Sequence, residues 1–535
     1  MTPVSRFELV LILMAVVVVL ELLARRLRMP PAAAFILGGI ALALIPGSPD
    51  VQIDPDLVLV LFLPPLLLSG AYFTVWRDFR ANLRIILGLA IGAVTFTTAA
   101  VGLVAHWIEP NLPWAACFAL GAIVSPPDAV AAKAILQRVA LPPRVTLALE
   151  GESLVNDATG LVLYRFAVAA ALTGAFSAGN AVLSFGGLAL GGVALGLAFG
   201  WLVSVLLMRM RDPTLSVIAS FLVAWVSYIV GDWLHVSGVL TTVACGVVMG
   251  SRQHRILSAA TRSQASAVWQ VVVFVLESLV FILIGLSLRS VAQRLGGDWH
   301  ALATLAPAVW AIIATVIVSR FVWILPATYI PRALSPSLRK RDPYPPLAVP
   351  IVMSWAGMRG VVSLAAALAL PEGFPGRDFI LAATFAVILV TVLVQGATLA
   401  PLIHHLRLGS FKQKQATDNL SEHQARAHMV AAQLAEVQRL SAGEDQAQHH
   451  PRLVEQYSYR ARAATRFSEA ADSLTEHRRE HFKVVLAAVA AGRGEILRLH
   501  QAGSIHDRVL YVLEHDLDLE EMAARRYLGE PQEGG

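Results

Sequence analysis

The sequence predicts an all-α polytopic membrane protein that continues into a helical tail. Hydrophobic residues make up 56% of the 535 residues, charged residues only 15%, and the mean hydropathy is +0.64. Soluble globular proteins contain about 25% charged residues, so this composition excludes a soluble enzyme, a disordered scaffold and a fibrous protein. Long apolar runs recur up to about residue 408, and the composition then changes abruptly.

About thirteen apolar runs approach the roughly 20 residues that a membrane-spanning helix requires. In chain order, runs 1 to 13 cover residues 7–27, 31–46, 56–75, 83–107, 113–137, 143–172, 180–208, 214–231, 234–250, 265–288, 300–328, 346–370 and 377–405. Run 2 is short, which fits a tilted or partly interfacial helix. Run 1 ends in Arg25, Arg26 and Arg28 without a small-residue cleavage site, so we interpret it as a retained helix and not as a signal peptide.

The loops between the runs alternate in charge. The basic loops carry Arg25/Arg26/Arg28, Arg77/Arg80/Arg84, Lys133/Arg138/Arg144, Arg209/Arg211, Arg252/Arg255/Arg262 and Arg332/Arg339/Lys340/Arg341. The other loops are nearly free of basic residues, with Arg289, Arg294 and Arg377 as exceptions. Because basic loops remain cytoplasmic, we expect the N-terminus outside and the C-terminus inside, which requires an odd number of spans. The net charge of +5 is then assigned to these loops and not to a nucleic-acid partner.

The sequence therefore predicts a transmembrane domain over residues 1–408 and a cytoplasmic tail over residues 409–535. Helical periodicity in the tail appears near 419–441, 452–500 and 504–528. We expect this tail to be regulatory or to support a dimer.

Two further features, a histidine pair and two cysteines, are assigned no function. His449 and His450 are adjacent and could bind a metal ion, but they lie between candidate helices, where a solvated linker is the favoured interpretation. Cys117 and Cys245 lie in apolar runs, where we expect buried thiols and no disulfide.

Run 5 is interrupted by Pro126 and Pro127, which are followed by Asp128. Consecutive prolines kink or break a helix and free backbone carbonyls, and membrane proteins tolerate such breaks where they line a cavity. Asp128 is expected at the start of the second half-helix, where the helix dipole favours its charge. A helix-capping aspartate without a transport role remains the alternative.

Four of the polar side chains in the first half of run 6 are candidates for function. Helical spacing places Ser153 and Asp157 on one face, and Glu152 and Asn156 on a neighbouring face. An acidic group deep in a span must hold a proton, pair with a cation or meet an arginine. A group that alternates between a proton and a cation would act as an exchanger. The alternative is a structural ion pair, which suits Glu152 better than Asp157.

Three further charges lie within apolar runs of the second half. They are Glu277 in run 10, Arg320 in run 11 and Arg359 in the glycine-punctuated part of run 12. The arginines require acidic partners, and Glu152 and Glu277 are the candidates, although spacing does not decide the pairing. Runs 5 and 12 are both interrupted and seven positions apart, which is typical of transporters built from inverted repeats.

Five motifs occur in the order and spacing found in one transporter family. They are Phe62–Leu67 (FLPPLL), Ser125–Asp128 (SPPD), Glu152–Asp157 (ESLVND) with Leu163-Tyr164, Ser319-Arg320, and Trp355–Gly360 (WAGMRG). With these motifs the sequence resembles the bacterial NhaP-type sodium/proton antiporters of the cation:proton antiporter type 1 family, which are related to the eukaryotic sodium/proton exchangers. The tail also resembles those of bacterial members.

The resemblance implies an antiporter and not an enzyme, without a cofactor, in the lipid bilayer of the cell inner membrane. It implies a homodimer of thirteen-helix protomers, each with a dimerisation domain and a core containing crossed, broken helices 5 and 12. Alternating access would then follow an elevator-like motion of the core.

The same resemblance assigns roles to individual residues. Asp157 would bind Na⁺ and H⁺ in turn, and Asp128 and Ser153 would be further Na⁺ ligands. Asn156 would belong to the same ion- and proton-binding group, at the position where electrogenic relatives carry a second Asp, and Glu152 would pair with Arg320. A single titrating carboxylate implies electroneutral exchange.

Three positions depart from the family pattern. Pro127 replaces a Thr, Ala129 replaces a Pro, and Ser69 stands where many members have an acidic residue. A site with fewer oxygen ligands makes exchange of K⁺, or of several monovalent cations, the alternative to Na⁺ or Li⁺.

Three other functions are alternatives for this sequence. Asp128 and Asp157 could share a proton as an intramembrane aspartyl protease dyad, but neither lies in the required Gly-x-Gly-Asp element. A transport-inactive sensor and a cation channel are the remaining alternatives, and paired charges with broken helices favour a carrier over a channel.

Overall fold

The computed structural model describes residues 3–27, 29–45, 55–74, 76–128, 142–174, 178–294, 299–408, 422–442, 449–469 and 471–528. The chain divides into two compact units, Met1–Gln413 and Lys414–Gly535. Both units are built from helices.

Each predicted apolar run contains a helix. In chain order these helices are Pro3–Leu27, Pro31–Leu44, Pro55–Tyr72, Leu83–Ile108, Trp114–Val124, Pro143–Thr173, Ala178–Arg209, Pro213–Trp233, Gly238–Ile256, Ala259–Arg294, Trp299–Leu334, the pair Ala348–Trp355 and Val361–Leu368, and Arg377–His405. Two short helices, Trp76–Ala81 and Pro336–Arg341, precede runs 4 and 12.

Seven helices of the described residues are long and apolar enough to span a membrane, and three shorter helices are also apolar. The all-α polytopic fold is therefore confirmed, while the number of thirteen spans stays a prediction. The break in run 12 is explicit, because helix is absent between Trp355 and Val361. In run 5 the helix ends at Val124, and the predicted second half lies in residues 129–141, outside the described part.

Runs 7 and 9 pack closely through small residues. Gly192, Gly196 and Gly200 repeat every fourth residue, and a Cβ on any of them would press against a backbone carbonyl of run 9. Membrane helices associate by such small-residue contacts because lipid supplies little hydrophobic driving force between them.

Runs 4 and 13 each contain a π-helical segment, Gly88–Ala93 and Thr391–Gln395. Such segments leave backbone groups free for other partners and are frequent at functional sites. The indole Nε1 of Trp323 donates to the Gly88 carbonyl at 2.9 Å, which ties run 11 to run 4.

The tail unit contains the helices Glu422–Ser441, Pro451–Glu469, Ala471–Gln501 and Asp507–Leu528. The last two are joined by Arg493, whose guanidinium donates to Glu521 Oε2 at 2.7 Å and to Asp518 Oδ1 at 2.6 Å. His449 and His450 directly precede the second of these helices.

Candidate functional site

The nonhelical segments of runs 5 and 12 meet inside the first unit. The backbone N–H of Asp128 donates to the carbonyl of Met358, with an N–O distance of 2.6 Å. Interrupted helices leave backbone groups without their usual partners, and a buried unpaired group is costly. This hydrogen bond pairs one backbone group of the interrupted run 5 with one backbone group of the interrupted run 12.

Arg359 closes the end of the first half of run 5. Its Nε donates to the Val124 carbonyl at 2.8 Å and its Nη2 to the Ser125 carbonyl at 3.3 Å. The side chain is fully buried. A cation at a helix C-terminus is stabilised by the exposed carbonyls and the helix dipole. Backbone carbonyls accept the hydrogen bonds of Arg359 among the described residues, and the expected acidic partner Glu152 acts on it through its charge and not through a hydrogen bond.

Arg320 and Glu152 form a buried, two-point ion pair. Nη1 donates to Oε1 at 2.7 Å and Nη2 to Oε2 at 3.1 Å, and both side chains are 2% exposed. Nη2 also donates to the Met353 carbonyl at 3.1 Å, so the pair holds the first half of run 12 against run 6. Gly357 makes this possible, because a Cβ there would overlap with the Arg320 side chain.

The carboxylate of Asp128 lies against Gly360. Gly360 is the N-cap of Val361–Leu368, and a Cβ on it would overlap with Asp128 Oδ2. The N-terminus of this half-helix therefore stabilises negative charge at Asp128. The sequence had suggested the second half of run 5 for this role; the structure adds the second half of run 12.

A cavity of about 200 Å³ lies beside this crossing. It is lined by three of the predicted ion-binding residues, Asp128, Ser153 and Asp157. Asp157 is 8% exposed and lies near enough to Asp128 for their charges to interact. Two of the predicted acidic side chains and a predicted hydroxyl thus line one small cavity.

Asn156 does not line this cavity. It is buried, and its Nδ2 donates to the Pro127 carbonyl at 2.7 Å, which fixes the broken segment of run 5 against run 6. Its Oδ1 accepts no hydrogen bond from the described residues.

Five other polar residues line the cavity: Ser69, Thr74, Glu150, Glu277 and Ser363. Glu277 had been considered as a partner for an arginine, and the structure places it on the cavity wall. Glu150 was not singled out from the sequence. Its position seven residues before Asp157, two helical turns along run 6, is the signal that could have found it.

Comparison with known proteins gives a consistent result. The chain matches the family described as "Sodium/hydrogen exchanger, transmembrane" over residues 11–405. An uncharacterized Na⁺/H⁺ exchanger of Mycobacterium tuberculosis is 33% identical over 524 residues, covering 95% of this chain and 94% of that protein. The uncharacterized Na⁺/H⁺ exchanger YjcE of Escherichia coli is 31% identical over 501 residues, covering 88% and 89%.

A Bacillus subtilis protein named a sodium, potassium, lithium and rubidium/H⁺ antiporter is 33% identical over 406 residues, covering 72% of this chain and 60% of that protein. Among solved structures, the sodium proton antiporter MjNhaP1 of Methanocaldococcus jannaschii aligns with a TM-score of 0.58 and 20% identity. The alignment covers 76% of this chain and 99% of that one. At this identity the similarity establishes the fold.

Proposed function

The chain belongs to the sodium/hydrogen exchanger family, and from this premise we propose that it exchanges Na⁺ or Li⁺ for H⁺ by binding the two ions competitively at Asp157. The observation that carries the proposal is the position of this carboxylate. It is almost buried, and it lines a small cavity at the crossing of two broken runs.

Competition follows from the cost of an unpaired buried charge. A carboxyl group within the membrane is stable when it is protonated or when it is paired with a cation. Binding of a proton to this group lowers its affinity for a cation, and binding of a cation lowers its affinity for a proton. Each loaded form can therefore change its access from one side to the other, while the empty charged form is held back. Alternating access with this rule couples the two ions.

The cation ligands in this proposal are the oxygens of Asp157, Asp128 and Ser153, with backbone carbonyls of the broken runs. Na⁺ is a hard cation that such oxygens suit, and broken-helix carbonyls serve as its ligands in other transporters. Asn156 acts as a positioning residue that holds the Pro127 segment. Glu152 and Arg320 neutralise each other and act as a brace.

We propose a stoichiometry of one cation for one proton. The charge of Glu152 is balanced by Arg320, and a half-helix N-terminus stabilises the charged form of Asp128, so we assign Asp157 as the group that exchanges its partner. An electroneutral cycle runs at the same rate with and without an imposed membrane potential. A rate that changes with potential would instead assign a second exchanging carboxylate, for which Glu150 and Glu277 are placed on the same wall.

A broader cation range is the second candidate. Ser69 contributes a hydroxyl to the cavity wall at a position where many family members carry a carboxylate. A site in which a neutral hydroxyl replaces a carboxylate attracts the cation less strongly and discriminates less between Na⁺ and K⁺. One relative with this breadth in its name, the Bacillus antiporter, is 33% identical.

The test is dequenching of a pH-sensitive dye in proteoliposomes with an imposed pH gradient and successive additions of Na⁺, Li⁺ and K⁺. A Na⁺ or Li⁺ response that disappears in Asp157→Asn supports the proposal. A response to K⁺, alone or together with Na⁺ and Li⁺, that disappears in the same variant supports the second candidate, which covers K⁺/H⁺ and broad monovalent cation exchange. A full Na⁺ response in Asp157→Asn contradicts both.

We also propose a homodimer in the inner membrane, with the N-terminus outside, the tail in the cytoplasm, and a regulatory role for the tail. The loop charges support the orientation, and the family resemblance supports the dimer.

A further inference from the structure

A second cavity, of about 290 Å³, lies away from the ion site. It is bounded by the starts of runs 4, 6 and 12 and by the end of the run 11 helix, and the parts from runs 4, 6 and 11 carry arginines. Leu89, Ala148, Ile324 and Met353 form an apolar part of its wall. Three arginines, Arg84, Arg144 and Arg332, form the charged part.

The charges at this cavity are unbalanced. Asp342 is held by two of the arginines: its Oδ1 accepts from Arg144 at 2.7 Å and its Oδ2 from Arg332 at 2.7 Å. Asp342 itself is not part of the cavity wall, and none of the described wall residues is acidic. Three arginine charges therefore lie in the cavity wall, and the negative charge of Asp342, which is outside the wall, balances one of them.

The arginines are held in place to different degrees. Arg332 is nearly buried, and Arg144 is further fixed by a hydrogen bond from its Nε to Asn82 Oδ1 at 2.9 Å. Arg84 is exposed and forms no ion pair with the described residues, although its charge acts on Asp342. Arg144 and Arg332 are thus fixed in position, whereas the side chain of Arg84 can change its conformation. This arrangement suits a phosphate group, since one guanidinium group can donate two parallel hydrogen bonds to phosphate oxygens.

From this combination we propose that the cavity binds the phosphate headgroup of an anionic phospholipid, with the first part of its acyl region against the apolar wall. The volume is close to the lower end of ligand pockets, about 300 Å³, which accommodates a headgroup and not a whole lipid. The basic end of the membrane unit is the side on which anionic lipids attract arginines.

The site would act on the first half of run 12. Met353 lies in the cavity wall, and its carbonyl accepts the hydrogen bond from Arg320 of the buried ion pair. A bound headgroup would therefore brace Ala348–Trp355 at a distance from the ion site. This inference stands apart from the identity of the transported cation.

The experiment measures the melting temperature of the purified full-length protein in neutral detergent during titration with short-chain phosphatidylglycerol. Phosphatidylcholine with the same acyl chains and glycerol phosphate are titrated in parallel. We expect a saturable stabilisation by phosphatidylglycerol and much weaker effects of the other two. Equal potency of glycerol phosphate would overturn the lipid assignment, since the apolar wall would then contribute nothing.

Variants test the location. Arg84→Gln should raise the half-saturating concentration of phosphatidylglycerol about tenfold, the effect of losing one charged hydrogen bond, and Arg84→Lys should retain most of the binding. Arg80→Gln is the matched control, because Arg80 is exposed nearby but does not line the cavity. Unchanged binding in Arg84→Gln, or an equal loss in Arg80→Gln, would overturn the proposal.

A second variant leaves the charges intact. Ala327 is an exposed residue of the cavity wall, and Ala327→Trp should fill the space in front of the apolar surface. Native mass spectrometry should then show fewer bound phosphatidylglycerol molecules per protein. Wild-type lipid occupancy in this variant would place the lipid elsewhere.

Discussion

The backbone amide of Asp128 donates to the carbonyl of Met358 at 2.6 Å, so the breaks in runs 5 and 12 are joined by a direct main-chain hydrogen bond. The side chain of the same aspartate lies against Gly360, two residues after Met358. One residue thereby connects the backbone of both breaks with the wall of the cavity that Asp157 also lines. Changes at this crossing should alter transport more than overall stability.

Asp157→Asn should abolish cation-dependent proton movement, because a side-chain amide neither takes up and releases a proton near neutral pH nor carries a negative charge that balances a bound cation. The measurement is dye dequenching in proteoliposomes with Na⁺. The control is Asp232→Asn, which removes an exposed acid whose partner Arg165 is also exposed. Retention of more than a few per cent of wild-type exchange in the Asp157 variant would contradict the assignment.

Gly360→Ala should strongly reduce exchange while the protein remains folded. The added Cβ would overlap with the Asp128 carboxylate and displace it from the half-helix N-terminus. Gly187→Ala is the matched control, since a Cβ at that helical position meets no atom within 4 Å. Transport is compared at equal reconstituted protein. Equal activity of the two variants would mean that the contact with Gly360 has no role.

Glu152→Gln should destabilise the protein by about 3–5 kcal/mol, because it leaves the buried charge of Arg320 without its partner. The double variant Glu152→Met/Arg320→Met removes both charges and should recover most of the melting temperature. Thermal unfolding in detergent measures both effects. An unchanged melting temperature in the single variant would show that Arg320 finds another partner at no cost.

Asp342 predicts a specific pH dependence. Burial opposes its ionisation, but the hydrogen bond and charge of Arg144, with the charges of Arg332 and Arg84, hold the pKa of this carboxyl below its ordinary value. Such a group stabilises the folded protein at pH values above its unfolded-state pKa, which is about 3.9. This stabilisation is lost as the pH falls through the lower folded-state pKa.

Asp342→Asn should therefore lower the melting temperature by a constant amount across neutral pH, and the difference from wild type should narrow below about pH 4. Melting curves of both proteins over this range provide the measurement. A difference that widens on acidification would assign the opposite sign to the interaction.

Much of the architecture follows from the sequence because hydropathy is a local property. Each apolar run contains a helix, and the Pro126-Pro127 pair and the glycines around Met358 mark where helices end. Asp128, Ser153 and Asp157 were identified because ionisable or polar groups are costly inside an apolar run and require a reason. Membership of the sodium/hydrogen exchanger family likewise follows from short motifs in the sequence.

Which groups meet was decided only by the tertiary structure. Arg320 could have paired with Glu152 or Glu277; packing brings it to Glu152, and Glu277 lies on the cavity wall instead. Arg359 was expected to meet a carboxylate, and it contacts carbonyls because the end of a half-helix offers partial negative charge. Glu150 lies on the wall of the first cavity, and the three arginines of the second cavity come together from separate runs. Helical spacing orders residues along one helix, whereas contacts between helices depend on how the whole membrane unit packs.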